Sequence, residues 1–101
     1  MLENLNRQSF SELLHTSFRV LLPDAPPLPM ELIEVADQPS SPQIESFFLI
    51  FRAPMKPFCR QSIYHIEHDT LGKFELFLVP IGPDETGMRY QVIFNRFRKK
   101  P

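Results

Sequence analysis

Hydrophobic and polar positions alternate with a period of two along most of the chain. Phe18-Arg19-Val20-Leu21-Leu22 shows the pattern first and stops at Pro23. Met30–Ala36, Phe47–Arg52, Ser62–Glu67, Lys73–Val79 and Met88–Phe97 repeat it. Such alternation marks strands with one buried face. Phe47-Phe48-Leu49-Ile50-Phe51 is apolar on both faces, which predicts a central strand covered on each side. The second cover would be an N-terminal helix or the far wall of a closed barrel. The segments are joined by turns with no helix between them, so a mainly β, six-stranded antiparallel meander is expected. It would form a small barrel or a strongly bent sheet.

Only residues 8–16 carry a helical pattern. Ser9-Phe10-Ser11-Glu12 fits a capping box, and Phe10, Leu13 and Leu14 fall on one face behind it. Residues 17–97 are then strands and their connections, and residues 98–101 a basic tail. Pro23, Pro26, Pro27 and Pro29 stiffen the first connector and predict a break there. Residues 53–61 and 80–87 read as loops, and Gly72 supplies the positive φ of a tight hairpin after His68-Asp69. The prolines are expected at loops and strand ends, with the strand interiors clear of them.

Composition narrows the function classes. A chain of 101 residues with 43% hydrophobic residues supports one core. One cysteine leaves no internal disulfide and no cysteine-based zinc site. A formal charge of −1 does not suit a protein that coats nucleic acid or anionic membrane. The first residues lack the basic-then-apolar pattern of a signal peptide, and the longest apolar run is far short of the ~20 residues of a membrane helix. A cytoplasmic location follows as the expectation, with signal-independent export left open. Charge is unevenly spread: Asp24, Glu31, Glu34, Asp37 and Glu45 lie between Arg19 and Arg52 with no base among them. Arg89, Arg96, Arg98, Lys99 and Lys100 close the chain with no acid. Two such edges could meet within one fold or between subunits.

Candidate chemistry is thin. His65 and His68 fall on opposite faces of a strand, which disfavours a shared metal ion, so no metal and no cofactor is expected. His68 with Asp69 suits capping of the hairpin. Tyr64, His65 or His68 could serve a small enzyme as acid or base, but no nucleophile–base–orienter set accompanies them. Tyr64, His68 and Tyr90 are the residues a small-ligand site inside the barrel would use. Cys59 lies between Lys56 and Arg60, neighbours that favour a thiolate, without a placed base. The alternation of basic and aromatic residues at 95–100 is short, and a terminal tail is the better reading. Met55, Phe58 and Ile81 differ from the core aromatics: they sit beside prolines in the connections at 53–61 and 80–87. Stiff loops that present apolar groups suit docking, because less entropy is lost on binding; folding back over a barrel mouth is the equal alternative.

Tyr64-His65-Ile66-Glu67-His68, Leu71-Gly72, Leu76–Gly82, Arg89-Tyr90 and Val92–Asn95 together resemble a family of small bacterial proteins of about this length. The spacing of Phe10, Leu14, Phe18 and Val20 is similar to it as well. That family carries a domain-of-unknown-function label, and its genes lie near those of phage-tail-collar-like proteins. The resemblance implies an accessory part in a tail-like or adhesin-like assembly and brings no catalytic residues. The expectation is a non-enzymatic structural or interaction domain with a protein partner or a second copy of itself. Its contact residues would be Met55, Phe58, Arg60, Ile81, Arg96 and Arg98.

Overall fold

The computed structural model describes residues 5–39 and 41–97. One helix, α1 (Arg7–Ser11), precedes six strands: β1 (Ser17–Leu21), β2 (Leu28–Asp37), β3 (Ile44–Ala53), β4 (Ser62–His68), β5 (Gly72–Pro83) and β6 (Met88–Phe97). The strands close into a ring in the order β1-β2-β3-β6-β5-β4, with β4 returning to β1 and every pair antiparallel. The expected fold class is the one the chain adopts, and the strand order refines it. Two three-stranded meanders are joined along a long seam, β3–β6, and a short one, β1–β4. The long seam runs from Ile44↔Phe97 to Ala53↔Met88. The short one holds Arg19↔Glu67, Val20↔Ile66 and Leu21↔His65.

Alternation decides which side chains fill the ring. Phe18 and Val20, Met30 and Leu32, Leu49 and Phe51, Ile66 and His68, Leu76 and Leu78, and Tyr90 and Val92 point inward and are buried. Phe18 meets Phe51 edge-on at 5.0 Å between ring centroids, lies 4.4 Å from the His68 ring and 6.3 Å from Phe74. Ten phenylalanines therefore serve mostly as filling, each able to bury roughly 150–250 Å².

Several boundaries differ from the pattern reading. The helix starts and stops early: Asn6, not Ser9, is the N-cap, and Ser9 is the third helical residue of the capping box. His15, at φ 67°, ends the following turn in the left-handed region, and its N–H donates to the Leu32 carbonyl. A five-residue helix is unstable alone; buried Phe10 holds it to the ring. Pro29 lies within β2 opposite Arg19, and Pro80 within β5 opposite Tyr90, so the strand interiors are not free of proline. β5 runs on to Pro83 because a register shift between Pro80 and Gly82 absorbs the lost donors. Gly82, at φ 111°, sits in that bulge, and Ile81 is a strand residue, not a loop residue. Gly87 is needed for space, since a Cβ there would fall on the Ala53 carbonyl oxygen.

The two mouths of the ring are sealed differently. At the end where β1 begins, Phe10 packs on Phe47 and Phe94 at 6.1 and 5.5 Å. At the other end, the connection from β3 to β4 crosses the ends of β6 and β5. No helix among the described residues is long and apolar enough to cross a membrane.

Phe18→Ala is expected to cost about 3–5 kcal/mol, the range for deleting a fully buried aromatic. Phe97→Ser, at a side chain 84% exposed, should stay within about 0.5 kcal/mol of wild type. Urea unfolding followed by circular dichroism measures both, and equal effects would contradict this core.

Candidate interaction surface

The β3–β4 connection is anchored by its middle. Cys59 is buried, and its N–H donates to the Tyr90 hydroxyl at 3.0 Å. Tyr64, on β4, donates its hydroxyl to the Arg60 carbonyl at 2.7 Å. Burial pushes the Cys59 thiol up, with the Tyr90 hydrogen bond pulling weakly against it. Burial likewise raises both tyrosines. The thiol is thus protonated and shielded, despite the cationic neighbours that the sequence places beside it.

With Cys59 turned in, its neighbours turn out. Met55 is 48% and Phe58 56% exposed. Lid and docking loop, the two alternatives for this segment, are therefore compatible: one side chain plugs the mouth and two face solvent. Arg60 is exposed beside them, and Ile81 is exposed on the outer face of β5.

Arg96 is placed elsewhere. Its guanidinium donates to Glu45 at 3.0 Å and to the Leu5 carbonyl, and lies 5.5 Å from the ring centres of both Phe47 and Phe94. Only 24% of its side chain is exposed. It works inside the fold, fastening the N-terminal segment to the β3–β6 seam, at the mouth opposite Met55 and Phe58. Arg98 lies outside the described residues. The basic C-terminal strand and the acidic segment before it thus meet within one chain at Glu45–Arg96, and Arg7–Asp37, at 2.9 Å, joins α1 to the end of β2.

The residues considered for a ligand site or an enzyme do not converge. Tyr64 and Tyr90 lie under the loop, whereas His68 is at the other mouth, and His65 faces outward with its ring 3.6 Å from Glu75. His68 is buried and fully bonded. Its Nδ1 accepts from the Thr70 and Leu71 N–H groups at 3.0 and 3.3 Å, so Nε2 carries the proton and donates to the Thr16 hydroxyl at 3.0 Å. Thr16 passes its own proton to the Leu13 carbonyl. The hairpin-capping reading of His68 is what this geometry performs; Asp69 instead pairs with Arg19 at 2.8 Å.

Two open dishes lie on the outer surface on either side of Arg52. One, of about 340 Å³, is lined by His15, Ser17, Pro29, Met30, Glu31 and Arg52. The other, of about 370 Å³, is lined by Arg52, Asp84, Glu85 and Thr86. Both are shallow, and within them His15 lies 2.8 Å from Glu31 and Arg52 pairs with Asp84 at 2.7 Å. Asp84 is held well below the usual carboxylate range by Arg52 and by the Thr86 N–H. It anchors the β5–β6 turn through the Thr86 and Gly87 amides. Among the described residues, no group of three or more His, Cys, Asp or Glu side chains could hold a metal ion.

Residues 5–94 match the family described as Domain of unknown function (DUF6916). The chain belongs to the DUF6916 family. No curated protein and no solved structure matches it. The DUF6916 match spans α1 and nearly all of the six strands. The sequence reading missed the Tyr90–Cys59 clasp, because no local pattern links a strand tyrosine to a loop amide 31 positions away.

Two outcomes follow from this geometry. Tyr90→Phe strands the Cys59 N–H and should cost about 1–3 kcal/mol. It should also speed labelling of Cys59 by a thiol reagent in the folded protein; unchanged labelling would detach the thiol's protection from Tyr90. His68 is held below its ordinary value of about 6.5, first by burial and then by Arg19, with Asp69 opposing. Its neutral form is the one the fold needs. Stability should therefore be intact above about pH 6.5 and fall as pH drops below it toward the folded-state value. Thermal melts between pH 7.5 and 5 should show this slope, and His68→Gln should flatten it.

Proposed function

We propose that this DUF6916 domain is a non-enzymatic structural or protein-interaction domain that docks a partner protein through the Met55–Phe58 loop and the adjoining outer face of β5. One observation carries the reading. Met55 and Phe58 are about half exposed on a loop whose backbone is pinned inward at Cys59 and Arg60. Pro54 and Pro57 stiffen the same segment. A pinned loop loses little entropy on binding, so its exposed apolar area converts to affinity more fully than that of a free loop. Arg60 beside Phe58 adds a cation to an otherwise apolar contact, a combination common at interface hot spots. Ile81 extends the apolar area onto β5. A place as an accessory component of a phage-tail-like or adhesin assembly, inside a bacterial cell before assembly, is the specific form of this reading that the family resemblance favours.

A photo-crosslinking residue at position 58, activated in the source cells, should trap a discrete adduct of defined mass. The same residue at position 85, in the turn on the other side of the mouth, should not. An identical adduct pattern at both positions, or none at 58, would sink the proposal.

A further inference from the structure

The side of the ring carries a second apolar surface, away from the Met55–Phe58 loop. Ile63 on β4 faces Phe77 on β5, and Phe48 on β3 faces Ile93 on β6. Phe77 and Ile93 are each two residues from the Val79↔Gln91 pair, on the side away from the Pro80–Gly82 bulge. All four alternate with inward residues and so point outward; carrying the Val79↔Gln91 register two residues further sets Phe77 beside Ile93 and joins the two pairs into one row across β4, β5, β6 and β3. Ile63 is 62%, Phe77 46% and Ile93 48% exposed, and Phe48 is half-buried. At the usual spacing of ~4.8 Å between strands the row is roughly 15 Å long.

Its flanks say what it fits. On one side stand His65 and Glu75, 3.6 Å apart, with Asn95 and Ser46. On the other stand Val79, Gln91 and the buried Ile50. No unpaired formal charge borders the row, so it offers nothing to select a charged partner. We infer that this row is the centre of an isologous contact with a second copy of the chain. A two-fold axis along the strands sets each copy's Phe77 on the other's Ile93, and Ile63 on Phe48. Glu75 then faces Asn95, and no like charges meet. The three most exposed side chains present on the order of 300 Å² of apolar surface, enough for the centre of a contact burying ~600–800 Å² per copy once the polar flanks join it. Contacts of that size are at the small end of specific interfaces, where reversible association is found.

The inference shares with the proposed function the premise that the domain works by contact, but its surface and partner are different. Sedimentation equilibrium of the full chain tests it between about 5 and 500 μM, a range in which a reversible micromolar dimer changes its mass with concentration. The mass should climb from 11.8 kDa toward twice that value. Phe77→Glu, and separately Ile93→Lys on a different strand, should hold it at the monomer value with unchanged circular dichroism. A Met55→Ser/Phe58→Ser double variant should dimerise like wild type. A wild-type mass that stays at 11.8 kDa, or a rise that neither outer-row variant reduces, would overturn the inference. Loss of the dimer in the loop double variant alone would move the contact to the loop and overturn it too. A failed dimer leaves the crosslinking result at position 58 untouched, so the two readings can fall separately.

Discussion

A ring of strands is free of edges only if its shortest member reaches both neighbours, and β1 is that member. It has five residues, and its seam with β4 has three pairs. Polar side chains on both sides of that seam hold it. Arg19 reaches Glu67 at 3.1 Å and Asp69 at 2.8 Å, and Thr16 joins His68. Beneath them Phe18 is fully buried between Phe51, Phe74 and His68. Ion pairs this exposed contribute little, because water screens them, so the larger share of closure rests on Phe18. Without β1, β2 and β4 would each present an open edge, the arrangement most prone to pairing with other chains. The seam joins residues far apart in the chain, Arg19 with Glu67 and Leu21 with His65, so its loop-closure entropy is larger than that of a hairpin.

Closure creates a second problem, because a ring of apolar residues has two open mouths. The chain solves it with its two longest departures from strand structure. Phe10 on α1 enters one mouth over Phe47 and Phe94, and Arg96 lies against the same two rings while bonding Glu45 and the Leu5 carbonyl. Cys59 enters the other, with two tyrosine hydroxyls satisfying the backbone it brings along. The polar groups used are on strands or on the plug itself. A ligand inside the ring would have to displace one of these plugs and strand its hydrogen bonds, at about 1–3 kcal/mol for each buried group left unpaired.

The strands were legible because the inward positions of Phe18, Val20, Leu49, Phe51, Leu76, Leu78, Tyr90 and Val92 follow a two-residue period that local sequence displays directly. Gly72 was legible for the same reason, as a turn requirement read from its neighbours. The strand order was not: that β3 lies beside β6 depends on where the chain crosses the mouth, which no short-range pattern encodes. Proline misled at Pro29 and Pro80, since a lost donor is harmless where the ladder is already irregular or begins. The Ser9–Glu12 spacing misled as a capping box, because Asn6 is the N-cap and Ser9 its third helical residue. Met55 and Phe58 were legible as unusual residues, whereas the outward row of Ile63, Phe77 and Ile93 was not, because alternation identifies the two faces of a strand without telling how wet the outer one is.

The two apolar surfaces are geometrically independent, and that independence constrains how they could act together. The row lies on the side of the ring and the loop at its end. A two-fold axis running along the strands preserves the strand direction of both copies, so the Met55–Phe58 loops of a dimer would emerge on the same side. Two weak contacts to a repeating target then act as one, with the second made at an effective concentration fixed by the spacing of the loops. Rigid spacing raises that gain only when it matches the target, which makes a pinned loop on a closed ring better suited to a periodic partner than to a single soluble one. The polar clasp of Tyr90 and Tyr64 and the closure at Phe18 thus bear on contact as much as on folding: they fix where the exposed side chains stand.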